Sequence, residues 1–338
     1  MTSEVPEGGS TVHEWEAARS HPHTYPGACP AGSFVMVDEA VHRLVVAPAG
    51  LGASTVDFGE STVALEQLLE DRGLARIEDR VPVVAYGGNR NPGTIALKCR
   101  HYDYRSPGEG DVFVALRATM RGVDVVAGGL SDQGYLYADL FVAPEVADTE
   151  VDVWVLLLDR EGLRMIHDSE GVTMGAYVCA RFGGLQVDGV AGEVEGLAYA
   201  GALPVFRSPE LDGPMAFASV SARGRVLSEF ATVDMLDHAL GALGLRQRAG
   251  ELVGVGDHAE LGAQVMKFLN GQFWYRRNTG DRRIESAEAL EMAIWEGLLG
   301  QGHPLTTADA MRARGAVLAT ETAYDPPDDL TVGAWWRP

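Results

Sequence analysis

Between Val81 and Ser221 the chain is written as short apolar runs rich in β-branched residues, and this texture limits the possible folds more than any other feature. VPVVAY (81–86), VFVALRATM (112–120), VDVVAGG (123–129), GYLYADLFV (134–142), VDVWVLLL (151–158), AYVCARF (176–182), EVEGLAYAG (193–201) and MAFASVS (215–221) each have the length and composition of a strand. One helical segment interrupts them, DREGLRMIHDSEG (159–171). Asp159 caps it, Leu163, Met165 and Ile166 supply apolar contacts, and Gly171 ends it. Many strands with one or two inserted helices predict an α+β fold whose sheet closes or curves strongly, a small mixed β-barrel. Gly128-Gly129 and Gly183-Gly184 read as hairpin or barrel-corner glycines.

The flanks have other textures. Residues 1–30 are rich in Gly, Pro, Ser and His and predict an irregular arm laid over the body. Ser33–Asp38 and Arg43–Ala47 read as short strands. Ser61 to Asp71 reads as a helix capped by Ser61, with Leu65, Leu68 and Leu69 on its apolar face and Gly73 as its stop. Beyond about Arg225, helical spacing returns in Glu229–Leu243, His258–Leu269, Glu285–Leu299 and Thr307–Glu321. Asp257-His258 and Thr306-Thr307 mark helix starts, and the final YDPPDDLTVGAWWRP reads as an irregular tail pinned by Trp335 and Trp336. Three regions follow: an N-terminal extension (1–79), a strand-rich unit (80–225) and a mainly helical C-terminal region (226–338).

Composition narrows the function classes. With 46% hydrophobic residues in 338, the chain can bury a sizeable core. Its formal net charge of -21 repels phosphate backbones and anionic headgroups, so neither nucleic acid nor a membrane surface is an expected partner. No apolar run reaches the roughly 20 residues that cross a bilayer, and MTSEVPEGGS shows no signal-peptide pattern. Cys29, Cys99 and Cys179 form no CxxC pair and suit a reducing compartment; the expected location is cytoplasmic.

Two segments carry candidate chemistry. In VPVVAYGGNRNPGTIAL (81–97) a strand runs into Tyr86-Gly87-Gly88-Asn89 and then a Pro-Gly pair that opens a helical turn. Two glycines there permit positive φ and close approach to a ligand, and the N–H groups of Gly87, Gly88 and Asn89 suit one oxygen or carboxylate. Gly-Gly-Asn is equally ordinary turn chemistry after a strand. In LRMIHDSEGVTMGAYV (163–178) Glu170 ends a helix just before an apolar strand. Partial removal from water there raises a carboxyl pKa and suits it to proton transfer, although a plain exposed glutamate fits the same sequence.

Together, AYGGN (85–89) and EGVTMGAYV (170–178) resemble the γ-glutamylcyclotransferase family, whose members carry an AYGSN-type loop and an EGVxxGxY segment. Glu170, Gly171, Val172, Gly175 and Tyr177 all match, and Gly88 stands where serine is usual, which removes a hydroxyl donor. The matching region spans about 140 of the 338 residues. The resemblance implies a barrel with a pocket at its mouth and cleavage of a γ-glutamyl or similarly acylated amine. The substrate's own α-amine attacks the γ-carbonyl and releases 5-oxoproline. It implies Glu170 as general acid/base, Gly87, Gly88 and Asn89 as oxyanion or carboxylate donors, and Tyr86 and Tyr177 as pocket walls; Tyr177 serves equally as a core tyrosine. It requires no cofactor and no metal.

Other groupings carry less. His13, Glu14, His21 and His23 have no coordination spacing. No GxSxG elbow is present. Arg276, Arg277, Arg282 and Arg283 form the basic cluster, read as a solvated loop or a carboxylate contact. The helical C-terminal region exceeds what a minimal cyclotransferase needs and suits either a larger substrate or a homodimer. Two alternatives remain open: a non-catalytic binding or assembly module on the same fold, and an amidohydrolase or acyltransferase using the same pocket.

Overall fold

All eight apolar runs contain a strand, seven of them five residues or longer, and partners far apart in sequence pair to make a sheet around the site. The structure is a computed structural model that describes residues 2–6, 9–15, 20–102, 104, 112–172, 175–255, 260–279, 285–303, 306–313, 317–319 and 330–336. The main strands are β1 (Phe34–Val37), β2 (Ala40–Val45), β3 (Val81–Ala85), β4 (Val112–Arg121), β5 (Asp124–Leu130), β6 (Leu136–Phe141), β7 (Glu150–Leu158), β8 (Tyr177–Val187) and β9 (Val194–Gly201). The helices are α1 (Leu65–Asp71), α2 (Pro92–His101), α3 (Arg160–Ser169), α4 (Thr232–Ala242), α5 (Arg246–Val253), α6 (Leu261–Thr279), α7 (Glu285–Gly300) and α8 (Thr307–Ala313). The fold is mixed α+β.

Five strands pair in a cycle. β7 runs antiparallel to β3, β3 parallel to β9, β9 antiparallel to β8, β8 antiparallel to β4, and β4 antiparallel to β7 again. Gly183 and Gly184 sit where the register of β8 against β9 shifts, so they form a bulge within the strand. The strands of the N-terminal extension join the same sheet, with Phe34 of β1 opposite Ala115 of β4. β5 and β6 form a second sheet with two-residue strands at Ala216–Phe217 and Glu229–Phe230. Gly128 and Gly129 lie within β5, where a Cβ would meet the Tyr137 and Trp295 rings.

Side chains alternate across a strand, and the strands of the cycle feed two apolar clusters. Val114, Leu116, Val153, Val155 and Ala198 join Met235, Leu236, Val265 and Leu290 of the C-terminal helices. Ala115, Trp154, Leu156 and Tyr199 join Ile95 and Cys99 of α2 and Leu163 and Ile166 of α3. All three cysteines are buried. α3 starts as its sequence predicts, with Asp159 Oδ1 accepting from Gly162 N at 2.8 Å, and Gly171 leaves the helix at φ 65°.

Several boundaries differ from expectation. Ser61 caps no helix: Thr62–Ala64 pairs with Thr55–Asp57 as a strand, and α1 starts at Leu65. MAFASVS contributes the short strand Ala216–Phe217. Glu229 and Phe230 are strand, so α4 begins at Thr232, and α5 is a helix that sequence spacing did not single out. α6 continues to Thr279. α8 ends at Ala313, and Val317–Ala319 instead pairs with β8, because strand pairing satisfies backbone groups that helical spacing cannot see. The described residues within 1–30 lie on the body: Ser10–Thr11 pairs with Val41 and Ala40, and Trp15 and Tyr25 are buried. Trp335 pins the tail by donating to the Glu195 carbonyl at 3.0 Å. Asp257, His258, Arg282 and Arg283 lie outside the described residues, as do Thr173 and Met174. Among the described residues, no helix is long and apolar enough to cross a membrane.

Candidate functional site

The loop after β3 and the end of α3 meet at one cavity of about 220 Å³. Tyr86, Gly87, Gly88, Asn89, Glu170 and Tyr177 all line it. Gly88–Arg90 forms one 3-10 turn, closed by Arg90 N to the Gly87 carbonyl and Asn91 N to the Gly88 carbonyl. N–H groups that open a helical turn have no partner within it. The next residues enter α2, capped by Asn91, whose Oδ1 accepts from Thr94 N at 2.8 Å.

The expected positive φ at the glycines does not occur. Gly87 has φ -105°, and Gly88 is not among the residues at positive φ. What position 87 requires is space: a Cβ there would lie 2.9 Å from Tyr25 Oη and 3.3 Å from Ala138 Cβ. At Gly88 a Cβ would meet Thr94 and Tyr25 at 3.6 Å, ordinary contact.

Glu170 is not isolated in apolar surroundings. Its Oε1 accepts from Asn89 Nδ2 at 2.9 Å and from Lys98 Nζ at 2.6 Å, and Lys98 also donates to Asn89 Oδ1 at 2.5 Å. The Lys98 and Glu170 side chains are 8% and 18% exposed, so the pair is largely withdrawn from solvent. Charge-assisted bonds in such a setting are short and hold both partners in one orientation. The arrangement sets a carboxylate, an ammonium and a side-chain amide at one point of the cavity.

Tyrosines make up much of the rest. Tyr86 donates to the Tyr199 carbonyl at 2.6 Å, and Tyr177 donates to the Ala138 carbonyl at 3.2 Å. Their rings therefore wall the cavity while their protons are committed to backbone. Burial raises the pKa of Tyr86, Tyr177 and Tyr199, so all three stay neutral. Tyr199 Oη lies 3.0 Å from His167 Nδ1, and burial lowers the pKa of His167, which favours the neutral ring as partner. The far wall comes from Ser131, Asp132, Gln133, Tyr135, Tyr137 and Ala138, together with Tyr25 from the N-terminal arm. Just behind it, buried Asp139 accepts from Gly201 N and Leu140 N, and desolvation pushes its carboxyl up to about 7.

No family model matches this chain, and no curated protein matches it. Two solved structures are similar to it in part. One is an uncharacterized human protein, 21% identical with a TM-score of 0.26, over 36% of this chain and 66% of that one. The other is a gamma-glutamyl cyclotransferase, 14% identical with a TM-score of 0.26, over 63% of this chain and 98% of that one.

Lys98 and Tyr25 are the residues that sequence reasoning missed. A signal for Lys98 was present: Thr94 and Lys98 stand four apart, so any helix after the Pro-Gly pair puts both on one face. Tyr25 had no local signal, since it sits in an irregular segment far in sequence from its neighbours. His13, Glu14, His21 and His23 do not gather: His13 approaches Glu39 at 3.8 Å, while the His21 and His23 rings meet each other. Arg276 is exposed on α6.

Proposed function

We propose that this chain is a cyclotransferase-like enzyme that cleaves a γ-glutamyl or related acyl amide by attack of the substrate's own amine. The observation that carries the reading is the direct bond between Asn89 and Glu170, 81 residues apart, in a cavity walled by Gly87 and Gly88. A bond forms between the α-nitrogen and the γ-carbon, and the original amide C–N bond breaks. Glu170 takes a proton from the attacking ammonium before the new bond forms and a second from the same nitrogen after it, and passes both to the departing nitrogen, which leaves as an ammonium, so no proton is gained or lost overall. Because attack is intramolecular, positioning supplies much of the acceleration. The N–H groups of Gly87 to Asn89 serve the developing oxyanion or the substrate carboxylate. Lys98 and Asn89 hold the Glu170 carboxylate still. The same reading takes the five-strand cycle as a closed barrel of the γ-glutamylcyclotransferase type. It takes residues 1–79, 80–225 and 226–338 as extension, catalytic unit and helical region, the last serving substrate size or a homodimer.

One observation favours a second reading, a binding module without turnover. The Lys98–Glu170 pair is nearly buried, and buried ion pairs also serve orientation and structure alone. Incubation with a panel of γ-glutamyl amines, read by mass spectrometry for 5-oxoproline, separates the two. Product that disappears in Glu170→Gln supports the enzyme. Saturable binding with no product supports the module, and labelled solvent oxygen in released glutamate points to an amidohydrolase.

A further inference from the structure

Several of the tyrosine hydroxyls that line the cavity differ in how they are bonded. Those of Tyr86 and Tyr177 donate to backbone carbonyls, and Tyr199 is paired with His167. The Tyr137 hydroxyl lies against β5, 2.6 Å from where a Cβ on Gly129 would stand. Tyr25 is bound in the opposite sense. Its oxygen accepts from Ala138 N at 2.9 Å, and among the described residues no group accepts its proton. The ring stacks on Tyr135 at 4.3 Å, and Thr232 at the start of α4 bonds the Tyr25 carbonyl. Tyr25 is therefore held at its hydroxyl, its ring and its backbone carbonyl, and the hydroxyl adjoins Gly87, on the cavity that Glu170 also lines.

We propose that Tyr25 is the hydroxyl donor of this site, offering from beside Gly87 a proton that glycine at position 88 cannot supply to the substrate's carbonyl oxygen. This rests on the proposed amide cleavage and names a further residue for it. The space agrees: the Tyr25 ring edge lies 3.6 Å from a Cβ at Gly88 and its oxygen 2.9 Å from a Cβ at Gly87, so one phenol fills the volume beside both glycines. Burial raises the Tyr25 pKa, so the group stays a neutral donor throughout the working pH range. A preorganised donor aimed at a developing oxyanion is worth about 100-fold in rate.

The test compares wild type, Tyr25→Phe, Gly88→Ser and the double variant on γ-glutamyl amines, with 5-oxoproline binding measured by calorimetry. Phenylalanine keeps the ring and its stacking. Tyr25→Phe is expected to lower kcat about 100-fold with a smaller change in KM. Serine at 88 in that background is expected to recover at least about tenfold, which a purely structural role for Tyr25 does not allow. Should Tyr25→Phe melt early, 3-fluorotyrosine at position 25 keeps the ring and changes only the acidity, and kcat should shift. A Tyr25→Phe enzyme within twofold of wild type, or a loss that serine leaves unrecovered, overturns the proposal. If Glu170→Gln abolishes turnover while Tyr25→Phe does not, the proposed function stands and this inference alone falls. Where wild type binds 5-oxoproline without turnover, the ratio of affinities between wild type and Tyr25→Phe decides it. A wild type that neither turns over nor binds overturns both.

Discussion

The two walls of the cavity are built on opposite plans. One wall, the loop 86–89 with α2 and Glu170, comes from two segments whose residues announce themselves locally: a strand that stops at glycines, and a helix that stops at Gly171. The other gathers Tyr25, Tyr135 and Tyr137, and a carboxyl, Asp139, lies just behind it. Each wall is associated with one acid, Glu170 partly withdrawn from solvent and Asp139 fully buried, and the acids differ in their company. Glu170 has an ammonium at 2.6 Å, whereas among the described residues the Asp139 carboxylate accepts from the N–H groups of Gly201 and Leu140. A carboxylate with a cation beside it is poised to act as an ion. A carboxylate sealed among tyrosines is costly to ionise.

The largest expected effect sharpens that contrast. Glu170→Gln should lower turnover by about 100-fold or more, equivalent to roughly 2.7 kcal/mol of barrier. It also leaves Lys98 without its anion, so melting should fall modestly, a cost that the sequence alone did not suggest. Lys98→Met provides the comparison. It should destabilise by about 2 kcal/mol, below the value for a fully sealed pair because Glu170 keeps some exposure, while costing less activity than Glu170→Gln. Equal activity losses in the two variants would make the pair structural and break the distinction between the walls.

Next in size is a pH effect from the second wall. Desolvation pushes Asp139 up to about 7, against the downward pull of its two backbone bonds. The folded chain therefore holds this proton more tightly than the unfolded chain does. The resulting stability is fully present below the ordinary carboxylate value near 4 and is lost as pH rises through about 7. Between about pH 5 and pH 8 the loss should be about 2 kcal/mol. Asp139→Asn keeps an oxygen for both N–H donors and cannot ionise, so its denaturation midpoint should gain on wild type across that window. Parallel pH profiles would mean that Asp139 does not titrate there.

The same contrast explains what was legible in the sequence. Strand texture and the α3 signals (Asp159 before, Gly171 after) fix local structure through nearest neighbours, and the elements followed. Ser61 misled because Thr62–Ala64 can form a strand once Thr55–Asp57 lies beside it, and that partner is a tertiary fact. Glu170 and the 86–89 loop were singled out because each ends a regular element. Lys98 sat inside an element, one of several polar residues on α2 with Thr94, Arg100 and His101, and Tyr25 sat in a segment without periodicity. Their roles depend on contacts that span 72 and 113 positions. Spacing within a window carries no information about such contacts.

The smallest effect tests whether the walls are independent. Asn91 caps α2 through Oδ1 and reaches across through Nδ2 to the Ala28 carbonyl at 2.6 Å, three residues from Tyr25. Asn91→Ala should cost about 1 kcal/mol for the cap, with a further contribution from the lost cross-bond. Asn91→Asp keeps the cap acceptor but sets a carboxylate against a carbonyl, so it should spare α2 and loosen the segment that carries Tyr25. If the arm and the loop act as one wall, the aspartate variant will lose activity out of proportion to its melting temperature, and the loss will largely vanish in a Tyr25→Phe background. An aspartate variant that loses activity only in step with stability would show that Tyr25 is held well enough by Tyr135 and Thr232 without the loop's help.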